Sequence, residues 1–199
     1  MSVDVQGQPG QPLLILSHGA GGTLDTPLLV KLQAGLTARG ITVARHNFPY
    51  TEAGRKAPDR APVLMETIQS VAQGLVQAWQ PTKLMLGGKS MGGRMASMLV
   101  AEGFAADGLV FLGYPLHPAG RPDKLRREHL ADIRCRMLFL SGTRDPLART
   151  DLLEETVRSL GRKARLLLLQ NGDHSLEKGV SDGAPWAEAA IQRWIRGGS

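Results

Sequence analysis

The sequence predicts a three-layer α/β fold of about six mostly parallel strands, with helices on both faces and no cap domain. Three observations carry this. Apolar runs of strand length recur along the 199 residues, each bounded by Gly or Pro. The runs are continuous rather than alternating, which marks strands buried on both faces. Segments with apolar residues at helical spacing lie between them, and right-handed crossovers then place helices on both sides of the sheet.

In order, the strand-like runs are "LLILSHG" from Leu13, "ITVARHNFP" from Ile41, "KLMLGG" from Lys83, "GLVFLGYP" from Gly108, "RMLFLSG" from Arg136 and "RLLLLQNG" from Arg165. The first helix carries Leu28, Leu32 and Leu36 on one face, with Thr26 as candidate N-cap, Pro27 in the first turn and Gly40 beyond the end. Leu64, Ile68, Val71, Leu75 and Trp79 form a second stripe that stops before Pro81. Met91, Met95, Met98 and Leu99 mark a third helix, and Leu153, Val157 and Leu160 a fourth, ended by Gly161. Trp186, Ala190, Ile191, Trp194 and Ile195 mark the last. Only the stretch 114–134 between elements lacks strong periodicity.

Length and composition bound the function. One domain spanning 1–199 is expected, large enough for a substantial core. Hydrophobic residues are 42% and charged residues 21%, ordinary for a globular chain. No apolar run approaches a membrane span, and "MSVDVQGQPGQP" lacks a signal-peptide layout, so a cytoplasmic protein without a membrane partner is expected. The single cysteine, Cys135, excludes an internal disulfide and a cysteine metal site; neither metal nor cofactor is expected. The net charge of +6 is scattered and aromatics are only 5%, which argues for a solvated basic surface over a nucleic-acid face.

The stretch "LMLGGKSMGGRM" admits two chemistries. Gly88-Lys89-Ser90 could close a phosphate-binding P-loop, G-x-x-x-x-G-K-[ST]. Position 83, however, is Lys, and the intervening residues read as strand, so no loop is left to wrap a phosphate. Gly88 to Gly92 also reads G-x-S-x-G, a nucleophile elbow, and its context of strand, tight turn and helix fits.

A serine hydroxyl needs a base, and the base needs an orienting carboxylate. After Ser90 come His117, His129 and His174; His174, in the loop following the last strand-like run, is the best placed. Asp145 follows the preceding run and is the favoured acid. Asp173 would need an awkward turn back to reach its own neighbour, and Asp151 reads as a helix-start residue. The oxyanion donors should be the N–H groups of Met91, next to the nucleophile, and of Ala20 in the loop "SHGAGGT", with Gly21 close behind. That loop is not a dinucleotide fingerprint, because position 24 is Leu where G-x-G-x-x-G needs Gly. His18 is expected to shape the loop rather than exchange protons.

With Ser90, Asp145, His174 and "HGAGG" in this order, the chain resembles the α/β-hydrolase superfamily across nearly its whole length. It is most similar to a small lidless branch related to dienelactone hydrolases and to a testis-expressed hydrolase-like protein. The stretches "PLLILSHGAGG", "GGKSMGGRMAS", "GYPLHP" and "LFLSGTRDPL" carry the likeness. Dienelactone hydrolases proper carry cysteine at the elbow where this chain has Ser90, so their lactone substrate does not carry over. The resemblance implies that the two early antiparallel strands of the full fold are missing.

The expected activity is that of a serine hydrolase (carboxylesterase- or thioesterase-like) working through an acyl-enzyme. The alternative is a non-catalytic scaffold that retains the fold. The expected partner is a small-molecule ester or thioester. If the basic residues Arg55, Lys56, Arg60, Lys89 and Arg121 converge on the site, that substrate is anionic. Tyr50, Tyr114, Pro115 and Leu116 are candidate walls of the acyl pocket, and Gly21 is a further candidate substrate contact.

Overall fold

The computed structural model describes residues 2–177 and 183–197. Its sheet contains β1 (Val3–Gln6), β2 (Leu13–Ser17), β3 (Thr42–His46), β4 (Leu84–Lys89), β5 (Gly108–Leu112), β6 (Arg136–Gly142) and β7 (Ala164–Leu169). Their order is β1-β3-β2-β4-β5-β6-β7. The helices are α1 (Pro27–Thr37), α2 (Pro49–Glu52), α3 (Ala61–Trp79), α4 (Met91–Ala101), α5 (Thr150–Ser159) and α6 (Gly183–Ile195).

The six strands expected from the apolar runs pair in parallel. The structure corrects the expectation that no early antiparallel strand exists. β1 runs antiparallel to β3, with Val3 opposite His46 and Gln6 opposite Val43. Its four residues, Val-Asp-Val-Gln, alternate in polarity and are only half buried. An edge strand is covered on fewer sides, so it lacks the continuous apolar run that identified the others.

Side-chain alternation along each strand divides the core into two layers. Leu13, Ile15, Leu86, Phe111 and Phe139 face Ile68 of α3, Met95 and Leu99 of α4 and Leu153 of α5. Leu14, Leu16, Val110, Leu112 and Leu138 face Leu28, Leu32 and Leu36 of α1 and Ile191 and Trp194 of α6. Full burial of each such leucine contributes about 2 kcal/mol of transfer free energy. Because consecutive strand residues serve opposite layers, both faces of the sheet are mainly apolar.

The ends of the helices follow local chemistry. Pro27 stands at the start of α1 behind Thr26, whose hydroxyl bonds back to the Thr23 carbonyl instead of capping the helix. α3 ends at Gln80, left-handed at φ 45°, just before Pro81. The segment 114–134 holds a single 3-10 turn, Glu128–Asp132, and is anchored by Leu116, Leu130 and Ile133, all buried. No cap domain is inserted among the described residues, and no helix among them is long and apolar enough to cross a membrane.

Candidate active site

The parallel strands all end on one edge of the sheet, and the loops that leave them converge there. β4 delivers Ser90. The serine has φ 50° and ψ −114°, a positive-φ conformation that costs a non-glycine residue on the order of 1–3 kcal/mol. The neighbouring structure enforces it. The Ser90 N–H donates to the Leu112 carbonyl of β5 at 2.9 Å, and the Arg94 N–H returns to the Ser90 carbonyl at 3.1 Å as α4 begins.

Gly88 and Gly92 make this turn possible for a spatial reason. A Cβ on Gly88 would lie 2.2 Å from the Ser17 carbonyl oxygen, and one on Gly92 would lie 2.4 Å from it. The elbow is therefore pressed against the end of β2, the strand that carries the Gly19–Gly22 loop. A Cβ on Gly19 would lie 3.6 Å from the Ser90 Cβ.

His174 stands between Ser90 and Asp145. Its Nε2 lies 2.9 Å from Ser90 Oγ and its Nδ1 lies 2.8 Å from Asp145 Oδ2. The Asp145 side chain has no exposure and that of His174 has 23%. Asp145 Oδ1 accepts the Leu147 N–H at 2.8 Å, which fixes the carboxylate plane. The rival acid Asp173 instead closes its own turn, accepting the Ser175 N–H at 2.8 Å. Asp151 pairs with Arg149 at the start of α5. Two glycines let the loops approach: a Cβ on Gly113 would come within 3.3 Å of His174 Nδ1, and one on Gly142 within 2.2 Å of the Gly172 carbonyl.

Met91 is the first residue of α4, so its N–H has no partner within the helix and lies at the positive end of the helix dipole. Ala20 and Gly21 form the exposed tip of the opposite loop, where Gly21 takes φ 70°. His18 braces that loop from beneath. Its Nδ1 donates to the Gly19 carbonyl at 2.8 Å, while Nε2 accepts from the Phe48 N–H and the Thr51 hydroxyl, each at 3.3 Å. That pattern requires a neutral ring, and burial lowers the pKa in keeping with it.

The remaining candidates fall in other places. Tyr50 is fully buried; it packs edge-on to His18, and its hydroxyl donates to the Gly19 carbonyl at 3.4 Å. It supports the loop from behind and is no wall of an open pocket. Tyr114 is also buried, against Phe111 and Phe139, with its hydroxyl on the Arg126 carbonyl at 2.8 Å. Burial raises its pKa to about 12. Arg121 is exposed and pairs with Asp123 at 3.4 Å. Arg55 likewise pairs with Asp59 at 2.7 Å. Lys89 turns inward, and its Nζ donates to the His174 carbonyl at 2.9 Å.

Sequence reasoning passed over Arg45, which stands on β3 yet is buried. It bonds Gln33 of α1 at 2.8 Å and also reaches Asp4 and the Leu24 carbonyl. The sequence signal was a charged residue inside an apolar run, which calls for buried partners.

The comparisons bear on the fold and the family. The family model described as an alpha/beta hydrolase domain matches residues 10–196. A lidless alpha/beta serine hydrolase from Xanthomonas campestris superposes with a TM-score of 0.76 at 19% identity, covering 96% of this chain and 88% of that one. A dienelactone hydrolase from Anabaena variabilis gives 0.73 at 18%, covering 97% and 88%. An alpha-beta serine hydrolase homologue from Coxiella burnetii gives 0.72 at 15%, also covering 97% and 88%. At such identities these structures establish a shared fold. The extent of the family match decides membership: the chain belongs to the alpha/beta hydrolase domain family.

Proposed function

We propose that the protein is a serine hydrolase that cleaves carboxylic esters or thioesters through an acyl-enzyme. The observation that carries this reading is the unbroken line Ser90 Oγ, His174, Asp145, with both links under 3.0 Å. In the proposed reaction His174 Nε2 accepts the Ser90 proton as Oγ attacks the carbonyl carbon. Asp145 holds the Nδ1 proton and stabilises the imidazolium. The N–H groups of Met91 and Ala20 receive the developing oxyanion. His174 then protonates the leaving alcohol or thiol, and water reverses the sequence to release the acid and free Ser90.

A folded scaffold without activity would have no need to hold His174 between Ser90 and Asp145, and the short distances favour the catalytic reading. Hydrolysis of a panel of 4-nitrophenyl esters and acyl thioesters, with Ser90→Ala as control, tests it. Turnover by the wild type that disappears in Ser90→Ala is expected. Equal turnover by both proteins would remove Ser90 from the mechanism.

A further inference from the structure

Among the described residues, Arg94 is set apart from the other cations by a buried Nε without a hydrogen-bond partner, and Arg126 lies within its electrostatic reach. Arg94 lies on α4, one helical turn after Ser90, and helical side chains lean back towards the N-terminus. Its guanidinium is thereby directed to the end of the helix at which the nucleophile sits. Arg126 is held near the same end of the sheet by two hydrogen bonds. Its N–H donates to the Leu116 carbonyl at 2.8 Å, and its carbonyl accepts the Tyr114 hydroxyl at 2.8 Å. Tyr114 stands two residues beyond Leu112, which accepts the Ser90 N–H.

The two guanidiniums repel each other, and burial with that repulsion lowers the pKa of Arg126. Among the described residues neither arginine forms an ion pair, whereas Arg39, Arg45, Arg55, Arg121, Arg127 and Arg149 each have a carboxylate. The nearest acidic side chain of the segment, Glu128, turns its Oε2 to the Arg127 N–H. Arg94 Nε is buried and has no hydrogen-bond partner. A buried guanidinium N–H left unpaired is costly, and a like-charged neighbour adds to the cost. An anion relieves both at once, because the guanidinium fork matches a carboxylate or phosphate.

We infer that Arg94 and Arg126 form an oxyanion-binding subsite beside Ser90 that takes a carboxylate or phosphate carried by the substrate. The inference rests on the proposed hydrolase and deepens it: the favoured substrate is an acidic ester, with its anionic group held away from the scissile carbonyl. The residues differ from the basic loop residues singled out in the sequence, of which Arg55, Arg121 and Lys89 already have partners.

The test compares kcat/KM for 4-nitrophenyl hemisuccinate with that for 4-nitrophenyl valerate, in which a methyl-terminated chain replaces the carboxylate. The ratio of the two is expected to fall about tenfold in Arg94→Gln and in Arg126→Gln, and to recover in part in Arg94→Lys, which keeps charge without the fork. An unchanged ratio in both glutamine variants, with native circular dichroism, overturns the subsite. Calorimetric titration with succinate and with inorganic phosphate supplies a readout that needs no turnover. Binding by the wild type that weakens in Arg94→Gln supports the subsite even if no ester is cleaved, and that separates its fate from that of the hydrolase reading. Absence of binding of either anion by the wild type, together with no preference for the hemisuccinate, overturns it.

Discussion

The Lys89 ammonium donates to the His174 carbonyl at 2.9 Å, so the residue next to Ser90 ties down the loop that carries His174. Burial lowers the Lys89 pKa, opposed by the carboxylates of Asp145, Glu177 and Asp173. The lysine of the Gly88-Lys89-Ser90 triplet is thus a tether to the His174 backbone. Lys89→Met is expected to lower kcat about tenfold to a hundredfold with a smaller change in KM, since small misplacements of a base are expensive. Lys89→Arg should restore part of the loss. Steady-state kinetics on one ester checks this; wild-type kcat in Lys89→Met would assign the contact no role in positioning.

Asp145 is fully buried and spends one oxygen on His174 and the other on the Leu147 N–H. Asp145→Asn preserves shape but presents an amide donor or a weaker acceptor to Nδ1. A fall in kcat of about 10³–10⁴ is expected with little change in melting temperature. A loss below tenfold would mean that His174 is oriented without Asp145.

Gly92 of the elbow and Gly21 of the opposite loop separate close approach from backbone freedom. A Cβ on Gly92 would collide with the Ser17 and His18 carbonyls, at 2.4 and 2.7 Å, while at Gly21 only φ 70° objects and the space is open. Gly92→Ala is expected to cost about 3 kcal/mol and Gly21→Ala about 1 kcal/mol. Those are melting-temperature decreases of roughly 10 °C and 3 °C. Calorimetry on both variants decides, and the reverse order would contradict the packing described for the elbow.

The buried imidazole of His46 sets an acid limit on stability. Its Nε2 accepts the Ser17 hydroxyl at 2.8 Å, and burial, aided by the neighbouring His18, lowers its pKa to about 4. The unfolded chain, with an ordinary value near 6.5, therefore binds the proton first. Stability should be unaffected above that value, fall as pH drops from about 6.5 to about 4, and level off below; the loss is on the order of 3 kcal/mol at most. His18, also lowered by burial, adds in the same direction. Melting temperatures of wild type and His46→Gln between pH 7.5 and 4 should differ in slope, with the variant flatter. Parallel curves would remove His46 as the cause.

How far the sequence could be read follows from which signals are local. The parallel strands were visible because burial on both faces favours continuous apolar runs: Leu13–Leu16 are all buried, and the buried polar residues of β3, such as Arg45 and His46, find hydrogen-bond partners. β1 was not visible, because an edge strand is half covered. Ser90, Asp145 and His174 could be picked out because each follows a strand in the order such folds use, and the structure brings the three within hydrogen-bond distance. Tyr50, Tyr114 and Lys89 could not be assigned from spacing alone, since the direction of a side chain leaving a loop depends on what packs behind it. Tyr114 points into the Phe111–Phe139 cluster, and Lys89 towards a carbonyl 85 residues away in sequence. Arg94 drew no attention in the sequence, because an arginine on a helix usually faces solvent; only its unpartnered Nε distinguishes it.

The central claim is that Ser90 is the nucleophile activated by His174. Intact-mass analysis after brief exposure to an alkyl fluorophosphonate tests it most directly. The account predicts one phosphonyl adduct on the wild-type protein, mapped to Ser90 by peptide sequencing, and none on Ser90→Ala or His174→Ala over the same time. An adduct forming on Ser90→Ala at the wild-type rate would contradict it.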